Sequence, residues 1–132
     1  MAKLLLDTGV VLRHLRGHQP TVALLRSVGR SGRLAIATVT RVEVHAGMHP
    51  HERYVTQKLL SRYVAFDLDR VVADLAGGLV EYGRRSQQAI DVPDAIIAAT
   101  ALVQRLTLVT YNTNHFVNIS GLSLYPIERL DK

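Results

Sequence analysis

The stretch Thr38-Val39-Thr40-Arg41-Val42-Glu43-Val44-His45-Ala46-Gly47-Met48 reads two ways, and the choice decides the fold. Val42, Val44 and Ala46 alternate, and by period alone that pattern makes a strand. Residues 34–37, immediately before it, already read as a strand. One strand running through both would remove the crossover that a parallel sheet requires between neighbouring strands. A helix from Thr38 to Met48 restores it, and this is the reading adopted.

Working outward, the chain alternates short apolar runs with helical patterns. Residues 3–6 (Lys-Leu-Leu-Leu) suit a buried strand. Asp7-Thr8 then looks like a helix N-terminus leading into Val10, Val11, Leu12 and Leu15. Gln19-Pro20 opens a second helix with Val22, Leu24, Leu25 and Val28 on its apolar face, closed around Gly29 and Gly32. A helix over 51–61 follows His49-Pro50, and Tyr63–Phe66 makes a third strand. Residues 70–88 read as a long helix, and Pro93-Asp94 starts another, Ala95 to about Arg105, whose alanine and isoleucine content predicts burial. Leu106–Thr110 is a fourth strand and Leu122–Tyr125 a fifth. Strands separated by helices predict an α/β fold with a short, mainly parallel sheet covered on both faces. There is no linker, repeat or low-complexity segment, so residues 1–132 read as a single domain.

Composition narrows the chemistry. The chain has no cysteine, which excludes disulfides, thiolate metal sites and cysteine nucleophiles and fits a reducing cytoplasm. The opening three-leucine run is too short for a signal-peptide core, and no apolar stretch approaches the roughly 18 residues of a membrane span, so a cytoplasmic protein is expected. Sixteen Lys and Arg against eleven Asp and Glu leave a net charge of +5. That balance favours an anionic partner such as a phosphate backbone.

Against this basic background, three acids fall where an open α/β sheet places its ligands, outside the carboxyl ends of the strands. Asp7 follows the first strand directly, Glu43 lies about a turn and a half into the helix after the second, and Asp94 begins the helix before the fourth. Each also has a plain structural alternative. Asp7 and Asp94 suit helix N-termini, and Glu43 suits a solvated face between Arg41 and His45. Gathered in one crevice, the three would repel one another unless a cation sat among them, and hard oxygen ligands select Mg²⁺ or Mn²⁺. The histidines offer no His-Glu-x-x-His zinc pattern. His45 and His49 are four apart and could share a helix face, whereas His14, His18 and His115 read as surface or structural. Most arginines (13, 16, 26, 30, 33, 84, 85) suit solvated faces, with those flanking the crevice available to phosphate. Seven aromatics preclude extended base stacking.

Four segments carry a resemblance. Leu5-Leu6-Asp7-Thr8-Gly9-Val10-Val11, Thr40-Arg41-Val42-Glu43-Val44-His45-Ala46-Gly47, Pro93-Asp94-Ala95-Ile96-Ile97-Ala98-Ala99-Thr100-Ala101-Leu102 and Leu108-Val109-Thr110-Tyr111-Asn112-Thr113-Asn114-His115-Phe116 follow one another as the motifs of PIN-domain ribonucleases do. They resemble in particular the VapC toxins of bacterial toxin–antitoxin pairs, and Gly121-Leu122 begins a similar closing strand. The third motif is the most specific.

The resemblance implies a three-layer PIN-like domain and a Mg²⁺- or Mn²⁺-dependent RNA endonuclease. It implies Asp7, Glu43 and Asp94 as metal ligands, with Asn112 assisting at a position where the family often carries aspartate. Asparagine offers a carbonyl oxygen but removes one negative charge, so a weaker second metal site is expected. Gly9, where the family often has asparagine or serine, is expected to loosen the first helical turn. Thr8, Thr40 and Thr110 are expected to orient acids or water. Water attack on the phosphodiester would leave 5′-phosphate and 3′-hydroxyl ends. An RNA substrate, a cognate antitoxin that blocks the pocket and a homodimer complete the expectation, with the apolar positions of the first two helices available to those interfaces or to the core. A catalytically silent RNA- or protein-binding module of the same fold is the alternative, and Asn112 is the residue that allows it.

Overall fold

The computed structural model describes residues 2–127; the two ends of the domain expected over 1–132 lie outside them. In chain order the elements are β1 (Leu4–Leu6), α1 (Thr8–Leu15), α2 (Gln19–Val28), β2 (Ala35–Ala37), α3 (Thr38–Gly47), α4 (Arg53–Leu60), β3 (Val64–Phe66), α5 (Arg70–Arg85), α6 (Val92–Gln104) and β4 (Thr107–Val109). The four strands form one parallel sheet in the order β3-β2-β1-β4. Each strand is only three residues long, and α1 and α3 begin within two residues of the carboxyl ends of β1 and β2.

The two faces of the sheet divide the core by strand alternation. Leu6, Ile36 and Val109 point to one side and pack with Val10, Val11, Leu25, Val44, Leu59 and Leu60 of the helices there. Leu5, Ala35, Ala37 and Leu108 point to the other, against Ile97, Ala98 and Ala101 of α6 and against Phe116. A third cluster joins α5 to α6 through Val72, Ala76, Ala95, Ile96 and Ala99. The result is helix–sheet–helix layering, as expected from the sequence. Among the described residues no helix is long and apolar enough to cross a membrane.

Residues 38–47 are helical. Burial follows a four-residue rather than a two-residue step, since Thr40 and Val44 are buried whereas Val42 is 66% exposed. A strand would have put Val42 and Val44 on one face. The apolar residues of the first two helices belong to the core: Val10, Val11 and Leu25 are buried, with Leu12, Leu15, Leu24 and Val28 packed against them.

Several boundaries depart from the pattern reading, each for a local reason. Helix α6 starts at Val92, not near Ala95, because the Asp91 side chain caps it by accepting from the Asp94 N–H at 2.9 Å. It ends at Gln104, where Arg105 turns left-handed at φ 57°. Helix α5 stops at Arg85, short of residue 88, and its C-cap residue Ser86 leads into Gln87, which is itself left-handed at φ 61°. Helix α4 begins at Arg53, after a 3₁₀ turn at Pro50–Glu52 in which the Glu52 carboxylate accepts from the His49 N–H at 2.7 Å. The expected fifth strand shrinks to one parallel bridge, Leu108 with Leu124. Two backbone bonds hold that bridge, from the Leu108 N–H to the Ser123 carbonyl and from the Tyr125 N–H to the Leu108 carbonyl, each at 2.8 Å. His45 and His49 do not share a helix face, because α3 ends at Gly47; the His45 ring instead bonds the Arg41 carbonyl at 2.7 Å.

Candidate active site

Asp7 sits at the junction of β1 and α1. Its backbone N–H donates to the Val109 carbonyl of β4 at 3.0 Å, so the residue is fixed between two strands before its side chain is considered. Oδ1 accepts from the Thr8 N–H at 2.8 Å, the capping role expected of an aspartate there. Oδ2 accepts from the Thr110 hydroxyl at 2.7 Å. The same Thr110 Oγ1 accepts from the Asn112 N–H at 2.9 Å, so one hydroxyl ties the loop after β4 to the acid after β1.

Glu43 reaches the same edge from α3. Thr8 Oγ1 donates to Glu43 Oε1 at 2.7 Å and lies 2.9 Å from Thr40 Oγ1. A hydroxyl has one proton, and Thr8 gives it to the carboxylate; Thr40 must therefore donate to Thr8. This relay starts at buried Thr40, passes through Thr8 and ends on Glu43, which it holds in a single orientation.

Asp94 lies in the first turn of α6. Its Oδ2 is 2.9 Å from Nδ1 of His115, which follows β4 on a 3₁₀ turn. Asp94 is largely covered, its side chain 18% exposed. Reading His115 as merely surface or structural therefore missed a partner of the site; the available signal was its place in the same carboxyl-edge loop as Asn112, three residues on.

The electrostatics show which acids share a neighbourhood. Burial pushes the Asp7 carboxyl above its ordinary range; the hydrogen bonds from Thr110 and Thr8 oppose that, Glu43 adds to it, and His115 pulls slightly down. Burial likewise raises Asp94, against the His115 hydrogen bond, with Asp91 and Asp7 raising it further. Asp7 thus feels Glu43 and is felt by Asp94. An acid that is 4% exposed, with two further carboxylates around it, is energetically incomplete in the bare protein.

A hard divalent cation fits that donor set, because every candidate ligand is a carboxylate or amide oxygen. Among the described residues no three acidic or histidine side chains close into a ready cage. Acids that share a neighbourhood without closing a cage suit a cation that keeps several waters and takes one or two carboxylates plus substrate oxygens. Asn112, whose N–H bonds the Thr110 hydroxyl, is exposed. Gly9 lies inside α1, which begins at Thr8 with Asp7 as its cap, and the expected loosening of the first turn is not seen.

Arg16, Arg26, Arg30, Arg33, Arg84 and Arg85 are exposed, as expected of solvated faces. Arg26, Arg30, Arg33 and Arg62 line a common cavity. Arg33 and Arg62 precede β2 and β3, so this cavity lies at the amino edge of the sheet, away from the acids. Arg13 stacks on the Tyr111 ring, 3.7 Å from its centroid.

The profile of the PIN domain family matches residues 4–122. Ribonuclease VapC10 of Mycobacterium tuberculosis is 38% identical over 113 residues, which cover 86% of this chain and 85% of that one. Ribonuclease VapC19 of the same organism is 33% identical over 113 residues, covering 85% of this chain and 90% of its own. Among solved structures, a toxin–antitoxin complex from Klebsiella pneumoniae superposes with a TM-score of 0.78 at 28% identity, over 91% of this chain and 95% of that one. DNA-bound VapBC from Salmonella typhimurium superposes with a TM-score of 0.82 at 22% identity, over 95% and 98% of the two chains, a likeness of fold.

Proposed function

The chain belongs to the PIN domain family, and within it to the VapC ribonucleases, and from that premise we propose that it is an RNA endonuclease, the toxin of a toxin–antitoxin pair, acting with Mg²⁺ or Mn²⁺. The observation that carries the chemistry is the buried Asp7 carboxylate, raised above its ordinary range by burial and crowded by Glu43. Asp7, Glu43 and Asp94 would hold the metal, and Asn112 would assist through its amide oxygen. When bound, the metal supplies Lewis acidity at the phosphate and a more acidic water.

The chain's own residues do the positioning. Thr110 and the Thr8 N–H fix the two Asp7 oxygens, leaving their remaining lone pairs for a cation. The Thr40–Thr8 relay holds Glu43 across from it. His115 fixes Asp94 through Oδ2. Glu43 and Asp94 are each tethered through one oxygen and Asp7 through both, so the three acids are oriented before a cation arrives, which lowers the cost of assembling the site. Hydrolysis by water leaves a 5′-phosphate and a 3′-hydroxyl, whereas attack by the RNA 2′-hydroxyl would leave a cyclic phosphate.

A cognate antitoxin covering the acidic site, a homodimer and a cytoplasmic location are part of the same reading. It is supported by the named VapC relatives, by the +5 net charge and by a chain without cysteine. The decisive experiment incubates antitoxin-free protein with total RNA in Mg²⁺, in Mn²⁺ and in EDTA, beside an Asp94→Asn control. Discrete fragments that need metal, carry 5′-phosphates and vanish in the control support the reading. RNA binding without metal-dependent cleavage would replace it with a silent binding module, the alternative that the uncharged Asn112 allows.

A further inference from the structure

A second cavity, of about 600 Å³, opens beside the acids and plays no part in the chemistry above. His115, 2.9 Å from Asp94, forms part of its wall, so the cavity begins one side chain away from a proposed metal ligand. Its floor is aliphatic, with Leu79 of α5 and Leu102 of α6, and its rim carries Tyr82, Gln87, Gln88, Asn114, Asn118 and Ser120. Among the described residues no Lys, Arg, Asp or Glu lines it, in a chain where a fifth of the residues are charged.

The rim is held in place by the fold. Gln88 N–H donates to the Gly83 carbonyl at 2.9 Å, and a Cβ at Gly83 would meet the Gln88 carbonyl oxygen at 2.7 Å. Only glycine lets the 86–91 loop approach α5 so closely, and Gln87 enters it with a left-handed backbone. On the other side the turn that carries Asn114 and Asn118 is anchored by Phe116, 1% exposed in the core, and by the Val117 N–H bond to the Thr113 carbonyl. Two amide-bearing segments far apart in sequence therefore face one concavity.

Phosphate is recognised by fixed positive charge, which this cavity lacks. Uncharged amides over an apolar floor, with an exposed aromatic ring at the edge, match an unstacked base: the ring stacks on the base face and the amides pair with its edge. Resting on the ribonuclease reading, we propose that this cavity binds one unpaired nucleobase flanking the scissile phosphate, stacked by Tyr82 and read by the amides of Gln88 and Asn118, and that it sets the sequence preference of cleavage.

The test maps cleavage ends on a randomised single-stranded RNA pool for the wild-type protein and for Gln88→Ala, Asn118→Ala and Tyr82→Ala. The wild-type protein should show a base preference at a fixed offset from the cut. The two amide variants should flatten that preference about tenfold, the size of a lost edge contact. Tyr82→Ala should raise KM for all sequences alike, because stacking tolerates every base. An unchanged preference in both amide variants, or a flat profile in a wild-type protein that cleaves well, overturns this inference and leaves the nuclease standing. A wild-type protein that cleaves nothing overturns both. All three side chains are exposed, and matched melting temperatures establish that the variants fold.

Discussion

Thr110 Oγ1 donates to Asp7 Oδ2 at 2.7 Å, joining two residues 103 positions apart in the chain, and both are buried. The bond couples the end of β4 to the end of β1, neighbours in the sheet, and it satisfies one oxygen of an acid that is only 4% exposed.

Thr110→Val keeps the shape of the side chain and removes the donor. It should destabilise the protein by about 1–3 kcal/mol, the usual cost of a buried polar group left unsatisfied. It should also weaken divalent-cation binding, because Asp7 loses the bond that lowers its pKa. Thr110→Ser should recover most of both. Calorimetric cation titration beside thermal melts checks the pair of variants, and a valine variant with wild-type affinity would contradict the assignment.

Asp7→Asn tests the penalty of the buried charge. Because burial raises the folded pKa of Asp7 above that of the unfolded chain, the native state holds more protons between the two values. Stability is therefore lost as pH rises through the folded pKa, and the metal-free protein bears the whole penalty at neutral pH. Asparagine still caps α1 and can pair with Thr110. In EDTA at neutral pH the variant should melt a few degrees higher than wild type, with the advantage shrinking on acidification. Added Mn²⁺ should raise the melting point of the wild-type protein and not that of the variant; the same response in both would count against Asp7 as a ligand.

Asn112→Asp restores a negative charge at an exposed position next to the Thr110 tether. Affinity for Mn²⁺ should rise about tenfold, equivalent to roughly 1.4 kcal/mol, and isothermal titration reads it directly. Unchanged or weaker affinity would refute the charge argument for this residue.

His14 gives the protein an acid-sensitive point remote from the acids. Its Nδ1 lies 2.9 Å from the Tyr63 hydroxyl, and burial, aided by Arg62, lowers its pKa below 6.5. As pH falls, the unfolded chain takes up this proton before the folded protein does, so stability declines from the ordinary histidine range down to the lowered value. His14→Gln removes that titration and should flatten the dependence of urea midpoint on pH below the ordinary histidine range. Parallel curves for the two proteins would show that His14 does not contribute.

The sequence by itself determined the alternation of strands and helices, the parallel sheet and the location of the three acids at its carboxyl edge. Those follow from local quantities: apolar runs of strand length, helix starts at Asp7 and Pro93, and the need for crossovers between parallel strands. Tertiary structure decided the rest. The helical phase of α3 shows only in which valine is buried, Val44 and not Val42, and burial is a property of the packed core. That the closing segment meets the sheet at a single bridge, Leu108 with Leu124, is likewise a tertiary outcome. The Thr40–Thr8–Glu43 relay, the Thr110–Asp7 bond and the His115–Asp94 pair join residues between 21 and 103 positions apart. No spacing rule reaches across such distances, because side-chain geometry at that separation is set by the parallel sheet, whose strand ends meet at one edge.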